Sequence, residues 1–174
     1  MKGYLLLAVA SFGLAIALAD SSSVTAVANM KGADGDGVGK VSFSQTTEGV
    51  LLQAQLEGLK PGVHAVHIHE TGKCEGPEFE SAGGHFNPDN ASHGYLVGRE
   101  SHAGDMPNFT VSSDGKAAVE IMNPDVTLNP GKSESLLGGD GAAVIVHAAA
   151  DDYKSQPSGD AGPPIACGVI AATK

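Results

Sequence analysis

Between residues 22 and 172 the chain breaks into short runs rich in Val, Ala, Ile and Thr, separated by clusters of Gly, Pro, Asn and Asp. The 24 glycines and nine prolines are spread so evenly that few windows could hold several helical turns, and a helical hydrophobic period is nearly absent. Eight runs read as strands: 22–30, 37–46, 49–57, 63–69, 108–113, 116–122, 142–148 and 166–172. The turns GDG at 35–37, SDGK at 113–116 and LGGDGA at 137–142 supply hairpin corners, and no helix follows them to make a phosphate cradle. Eight short strands joined in this way predict an all-β fold, an antiparallel barrel or sandwich closed or nearly closed on itself. Residues 71–107 and 149–164 escape the pattern. Polar connections of that length inside one compact domain tend to carry function.

The chain opens MKGYLLLAVASFGLAIALAD, in which Lys2 precedes an apolar run from Tyr4 to Leu18 and a small-residue site at Ala17–Ala19. This is the pattern of a secretory signal, residues 1–19, cleaved before Asp20, with one domain following over residues 20–174. Nothing later in the chain is apolar enough to suggest a bilayer span. Acidic side chains number 20 against 10 basic ones, and there is no basic block to collect phosphates, which excludes nucleic acid and an anionic membrane surface as expected partners. Export to a periplasmic or secreted location places the two cysteines, Cys74 and Cys167, in an oxidising compartment. They read as one disulfide, the alternative being two buried free thiols.

Seven histidines remain to be explained. In AVHIHETGKC at 65–74, the strand period of two sends His67 and His69 to one face, and Val66 and Ile68 to the other. His147 ends the apolar run AAVIVH and could join them if the two strands are neighbours. The first long loop adds His85, His93, His102 and Asp105, three imidazoles and a carboxylate of the kind that suits tetrahedral zinc. Imidazole also serves copper in both its oxidation states. Six buried rings without such a purpose would each need partners for two nitrogens, which is hard to arrange by accident. His64 lies on the opposite strand parity and reads as structural or surface.

The segments HIHETGKC at 67–74, GGHFNP at 83–88, HAGD at 102–105, VHAAADD at 146–152 and ACGVI at 166–170 together resemble copper,zinc superoxide dismutase of the exported bacterial type. The resemblance covers residues 22–172. It implies an eight-stranded Greek-key β-barrel with two functional loops, copper on His67, His69, His85 and His147, and zinc on His85, His93, His102 and Asp105. In it His85 bridges the two ions, Asp151 links nitrogens behind both, and Cys74 and Cys167 form the disulfide within the subunit. It further implies the dismutation of superoxide to dioxygen and hydrogen peroxide by copper cycling between two oxidation states, with His85 passing on a proton.

One departure stands out. The family usually carries an arginine three residues before the last cysteine to guide the anion, and here that place is Pro164, which has neither charge nor donor. Lys154 is the first candidate to replace it and Lys73 the next, while the single arginine, Arg99, lies in the zinc loop. The departure lends weight to an alternative, a non-catalytic periplasmic protein that binds or stores copper and zinc. Relatives of the bacterial type include monomers and dimers, so a homodimer is left open. Asn90-Ala91-Ser92 and Asn108-Phe109-Thr110 match the glycosylation acceptor pattern and read more simply as loop and strand-start polar residues.

Overall fold

A computed structural model describes residues 25–98 and 100–173. The signal expected at 1–19 and Arg99 lie outside the described residues. Among the described residues ten strands form: β1 (Thr25–Gly32), β2 (Gly37–Thr46), β3 (Gly49–Leu56), β4 (Gly62–His64), β5 (Val66–His69), β6 (Phe109–Val111), β7 (Ala117–Asn123), β8 (Ala143–His147), β9 (Pro164–Val169) and β10 (Ala171–Ala172). The one helical element named among the described residues is a single 3₁₀ turn, Glu80–Ala82. Each of the eight expected runs contains a strand, residues 22–24 of the first lying outside the described residues. Two are divided: 63–69 breaks at Ala65 into β4 and β5, and 166–172 breaks at Ile170 into β9 and β10.

The sheet runs in the order β5-β8-β9-β1-β2-β3-β7, with β10 also on β1, and every pairing is antiparallel. β1, β2 and β3 are joined by tight hairpins. From β3 the chain crosses to β4 and β5, and from β7, beside β3, it crosses back to β8, beside β5. These two crossings make the Greek key. A second ladder, β4 on β6, lies between the two ends of the curled sheet, with β6 against β7 and β4 running on into β5.

Alternation in the sequence becomes the core. On β1 and β3 every second residue is buried, so Ala26, Ala28 and Met30 join Val50, Leu52, Ala54 and Leu56 in one core, with Val41 and Phe43 from the intervening β2. β8 is different, because all five of its residues are buried. Val144 and Val146 enter the main core, while Ala143 and Ile145 pack outward against Phe79, Ala82 and Cys167. That second cluster is organised about the Cys74–Cys167 disulfide, which pins the start of the first long loop to β9 with Cα atoms 5.7 Å apart.

The segment 124–141, between β7 and β8, buries Val126, Leu128 and Leu136 under one end of the barrel. It has no strand period because a side chain holds it: Gln45 Oε1 accepts hydrogen bonds from Leu128 N–H at 2.7 Å and from the Thr127 hydroxyl at 2.8 Å. No helix among the described residues is long and apolar enough to cross a membrane.

Candidate metal centre

The site is built on two adjacent strands. β5 pairs with β8 so that His67 lies opposite Ile145, and Val66 opposite Val146. Val66 and Ile68 enter the core as the strand period requires, and His67 and His69 leave the other face. His147, at the end of β8, is held by its N–H to Ala65 O at 2.9 Å. The break at Ala65 thus serves the site, because the backbone freed between β4 and β5 receives the end of β8.

The first long loop returns across β5 by main-chain bonds. Phe86 N–H donates to Ile68 O at 2.8 Å, Ile68 N–H to Gly104 O at 2.9 Å, and Gly104 N–H to Phe86 O at 2.8 Å. The approach is so close that a Cβ on Gly104 would stand 2.2 Å from Ile68 O, so only glycine fits. His85 and the HAGD stretch are delivered to the strand in this way.

Two donor sets result. The ligand atoms of His67, His69, His85 and His147 lie within 4.8 Å of one another, as do those of His85, His93, His102 and Asp105, and every one of these residues is buried. In the first set His67 Nδ1, His69 Nε2, His85 Nε2 and His147 Nε2 have no hydrogen-bond partner. Their far nitrogens are all engaged. His67 Nε2 meets Asp151 Oδ2 at 2.8 Å, His69 Nδ1–H donates to Gly83 O at 2.8 Å, and His147 Nδ1–H to Gly162 O at 3.0 Å. In the second set Asp105 Oδ1 is approached by Nδ1 of His85, His93 and His102 at 2.8, 3.0 and 3.3 Å. Asp105 Oδ2 accepts N–H groups from Gly94 at 2.9 Å and His102 at 3.2 Å.

His85 belongs to both sets, Nδ1 in one and Nε2 in the other. Asp151 joins them a second time from behind, with Oδ2 on His67 and Oδ1 on His93 Nε2 at 3.1 Å. Its own backbone is clamped by Asn108, which accepts from Asp151 N–H at 2.8 Å and donates to Asp151 O at 2.9 Å. Asn108, matched by the glycosylation pattern, is therefore occupied by structure. His64 is buried and outside both sets, its ring nitrogens facing His147 O and Lys60 O, each at 2.8 Å.

Electrostatics prepares the donors for cations. Burial pushes the His67 imidazole down to about 4, against the opposing pull of its hydrogen bond to Asp151. Burial, reinforced by His85, takes His69 down to about 3. His147 and His102 are lowered by burial as well. Burial works to raise Asp151, but hydrogen bonds from His67, Tyr153 N–H and His93 outweigh it and hold the carboxyl at about 2. Asp105 has the same balance: burial raises it, and hydrogen bonds from His85 and Gly94 bring it below the usual range. These rings are neutral with free lone pairs at neutral pH, and the carboxylates are ionised, which is the state metal ligation needs. Buried unpartnered nitrogens at five positions are costly unless something takes their lone pairs, and a donor set of three imidazoles and a carboxylate beside one of four imidazoles fits zinc and copper respectively.

Of the cations considered for anion guidance, Lys154 is exposed, with its N–H on Asp152 Oδ1 at 2.9 Å and its main chain against Gly94 of the zinc-side loop. Pro164 is the first residue of β9 and lies opposite His147 in the ladder, a strand position where a missing N–H is tolerated. The carbonyls of Gly83 and Gly162 and the amide of Asn108 were not singled out from the sequence as parts of the site. Main-chain acceptors leave no residue-type signature, and Asn108 could have been found only through its match to the acceptor pattern.

A curled antiparallel sheet presenting two adjacent donor sets that share one imidazole defines a metalloprotein built for a pair of unlike ions. The chain belongs to the copper/zinc superoxide dismutase family, whose description matches residues 38–170. It is 43% identical over 98% of its length to superoxide dismutase [Cu-Zn] 2 of Aquifex aeolicus, of which 95% is covered, and 44% identical over 84% to the superoxide dismutase [Cu-Zn] of Caulobacter vibrioides, 85% covered. Among solved structures it is similar to a SOD-like protein from Bacillus subtilis, with a TM-score of 0.80 and 39% identity over 83% of this chain and 97% of that one. The Cu/Zn superoxide dismutase from Brucella abortus follows with a TM-score of 0.69 and 28% identity over 84% and 99%.

Proposed function

We propose that this chain dismutes superoxide to dioxygen and hydrogen peroxide, with copper held by His67 Nδ1, His69 Nε2, His85 Nε2 and His147 Nε2, and zinc by His85, His93, His102 and Asp105. The observation that carries the reading is His85, one buried ring whose two nitrogens face two different donor sets. A store for the two ions needs no shared ring, whereas a ring that faces both sets can couple a proton at Nε2 to a change on the copper side. Copper held by these four imidazoles would supply the one-electron exchange that dismutation requires.

The protein's own part is to hold donors and protons. The carbonyls of Gly83 and Gly162 and the carboxylate of Asp151 fix which nitrogen of His69, His147 and His67 carries a proton, leaving the other for the ion. His85 Nε2 is the atom at which a proton is held and released when that nitrogen is not donating to the copper side. Nδ1 of the same ring faces Asp105 on the zinc side, so an ion held there by both would fix the ring's orientation. Lys154 supplies positive charge for the approaching anion in place of the arginine that Pro164 displaces. The disulfide and the apolar start at residues 4–18 support export to the periplasm or the exterior.

A crystal of the copper- and zinc-loaded protein, with anomalous data at both absorption edges, tests the assignment alongside a dismutase assay. Two unlike ions flanking His85, with activity that depends on copper, are expected. A single ion, or two that do not share His85, overturns it.

A further inference from the structure

His93 is the most enclosed member of the zinc-side set, with no exposed surface. Its ring is held at both nitrogens, by Asp105 and by Asp151. Its main chain is held by one side chain from the other long loop: Gln156 Oε1 accepts His93 N–H at 2.9 Å, and Gln156 Nε2 donates to His93 O at 2.8 Å. The second Nε2 hydrogen donates to Lys154 O at 3.0 Å. Both amide donors and the acceptor are used, although Gln156 is itself an exposed residue. The orientation is also fixed, because a flipped amide would set Oε1 against two carbonyl oxygens.

The segment presenting Gln156 is braced from within. Asp152 Oδ1 accepts N–H groups from Lys154 at 2.9 Å and Ser155 at 2.8 Å. One residue further along the zinc-side loop, Gly94 rests on Tyr153, so close that a Cβ would lie 2.2 Å from Tyr153 O, and Leu96 N–H donates to that carbonyl at 3.0 Å. An exposed glutamine that spends both amide hydrogens and its oxygen on its own turn and on the backbone of one buried imidazole donor is set apart from ordinary solvated polar residues.

We propose that Gln156 is a positioning residue for zinc binding, acting through the main chain of His93 to set where that ring meets the ion. The inference rests on His93 being a zinc-side donor, as proposed above. Removing a group that orients a ligand typically weakens a metal site by about ten- to a hundredfold. Gln156 acts one step further out, through the backbone, so the lower figure, about tenfold, is the expectation.

The test uses the full copper-loaded protein with Gln156→Ala and Gln156→Glu. Zinc affinity is measured by competition with a chromophoric chelator, the zinc-side geometry by the visible bands of cobalt(II) placed there, and the copper side by copper(II) electron paramagnetic resonance. The alanine variant should bind zinc about tenfold more weakly and shift the cobalt bands while the copper spectrum stays close to the parent. The glutamate variant keeps the acceptor for His93 N–H but turns a carboxylate oxygen on two carbonyls, so it should bind zinc no better than the alanine variant. Zinc affinity within twofold of the parent and unshifted cobalt bands in the alanine variant, even with a lowered melting temperature, overturn the proposal. A parent protein that takes neither zinc nor cobalt at this set overturns the His93 assignment, and the role of Gln156 with it.

Discussion

At the scale of single residues the site depends on atoms that have nowhere else to go. Gly159 has a positive φ of 74°, and a Cβ there would stand 1.9 Å from Asp151 Oδ1 and 2.7 Å from His93 Nε2. Gly159→Ala therefore wedges apart the carboxylate that touches both donor sets. We expect at least a tenfold loss of affinity for zinc, with copper affected through His67, measurable by chelator competition on each ion. Pro164 makes a separate prediction. Because it lies opposite His147 in the ladder, an arginine at this position starts beside the copper donors and restores a cation where the anion must arrive. Pro164→Arg should raise the rate in pulse radiolysis at low ionic strength, and the gain should shrink as salt is added. Lys154→Gln in the parent should lower that rate. An arginine variant no faster than the parent removes the electrostatic explanation.

At the scale of elements, the strands do the rigid work and the loops supply the rest. The Cys74–Cys167 bridge ties the first loop to β9 through a small cluster with Phe79, Ala82 and Ile145, and the chain reaches Gly83 directly after it. Gly83 O holds His69, so the bridge is coupled to a copper donor over a few residues. Changing both cysteines to alanine should cost about 2–5 kcal/mol in denaturant unfolding, the range for native disulfides in small exported domains. The same variant should lose copper affinity more than zinc affinity. Much of this layout was legible in the sequence. β1 and β3 bury every second residue, and the HxH pair on β5 follows from the strand period alone. The break at Ala65 was not legible, since nothing in GVHAVHIH marks where the pairing changes from β6 to β8. The segment 124–141 was missed for a related reason: it is held by Gln45 on Thr127 and Leu128 and by Leu136 N–H on Thr127 O, and not by a period. The strand-borne pair His67 and His69 and the loop set His85, His93, His102 and Asp105 could be read from residue types, but the place of His85 in both sets came only through the family resemblance, because spacing does not say which nitrogen faces which ion.

At the scale of the whole molecule, the barrel buries imidazoles and carboxylates whose protonation differs between the folded and unfolded chain. An imidazole in an unfolded chain protonates near pH 6.5, whereas folding holds His67 at about 4 and His69 at about 3. Between those limits the unfolded chain binds more protons than the folded one. The stability of metal-stripped protein must therefore fall as pH drops from about 6.5 through 4, by about 3 kcal/mol for His67 alone. Asp151, held at about 2, adds a smaller loss below about pH 4, where the unfolded carboxyl protonates first. Urea midpoints of the stripped protein should decline across that window, and loading with copper and zinc should carry the decline to lower pH, because protons must then displace ions. A flat profile from pH 7 to 4 contradicts the burial of these rings in solution. Asp151 also has a consequence for anyone rebuilding the protein. Since one carboxylate reaches both donor sets from the second loop, neither long connection can be lengthened, grafted or randomised by itself without misplacing rings supplied by the other. Tags, labels and library diversity belong instead at the hairpin tips around Asp34, Thr47 and Asp114, where the polypeptide can change length and the inorganic chemistry stays untouched.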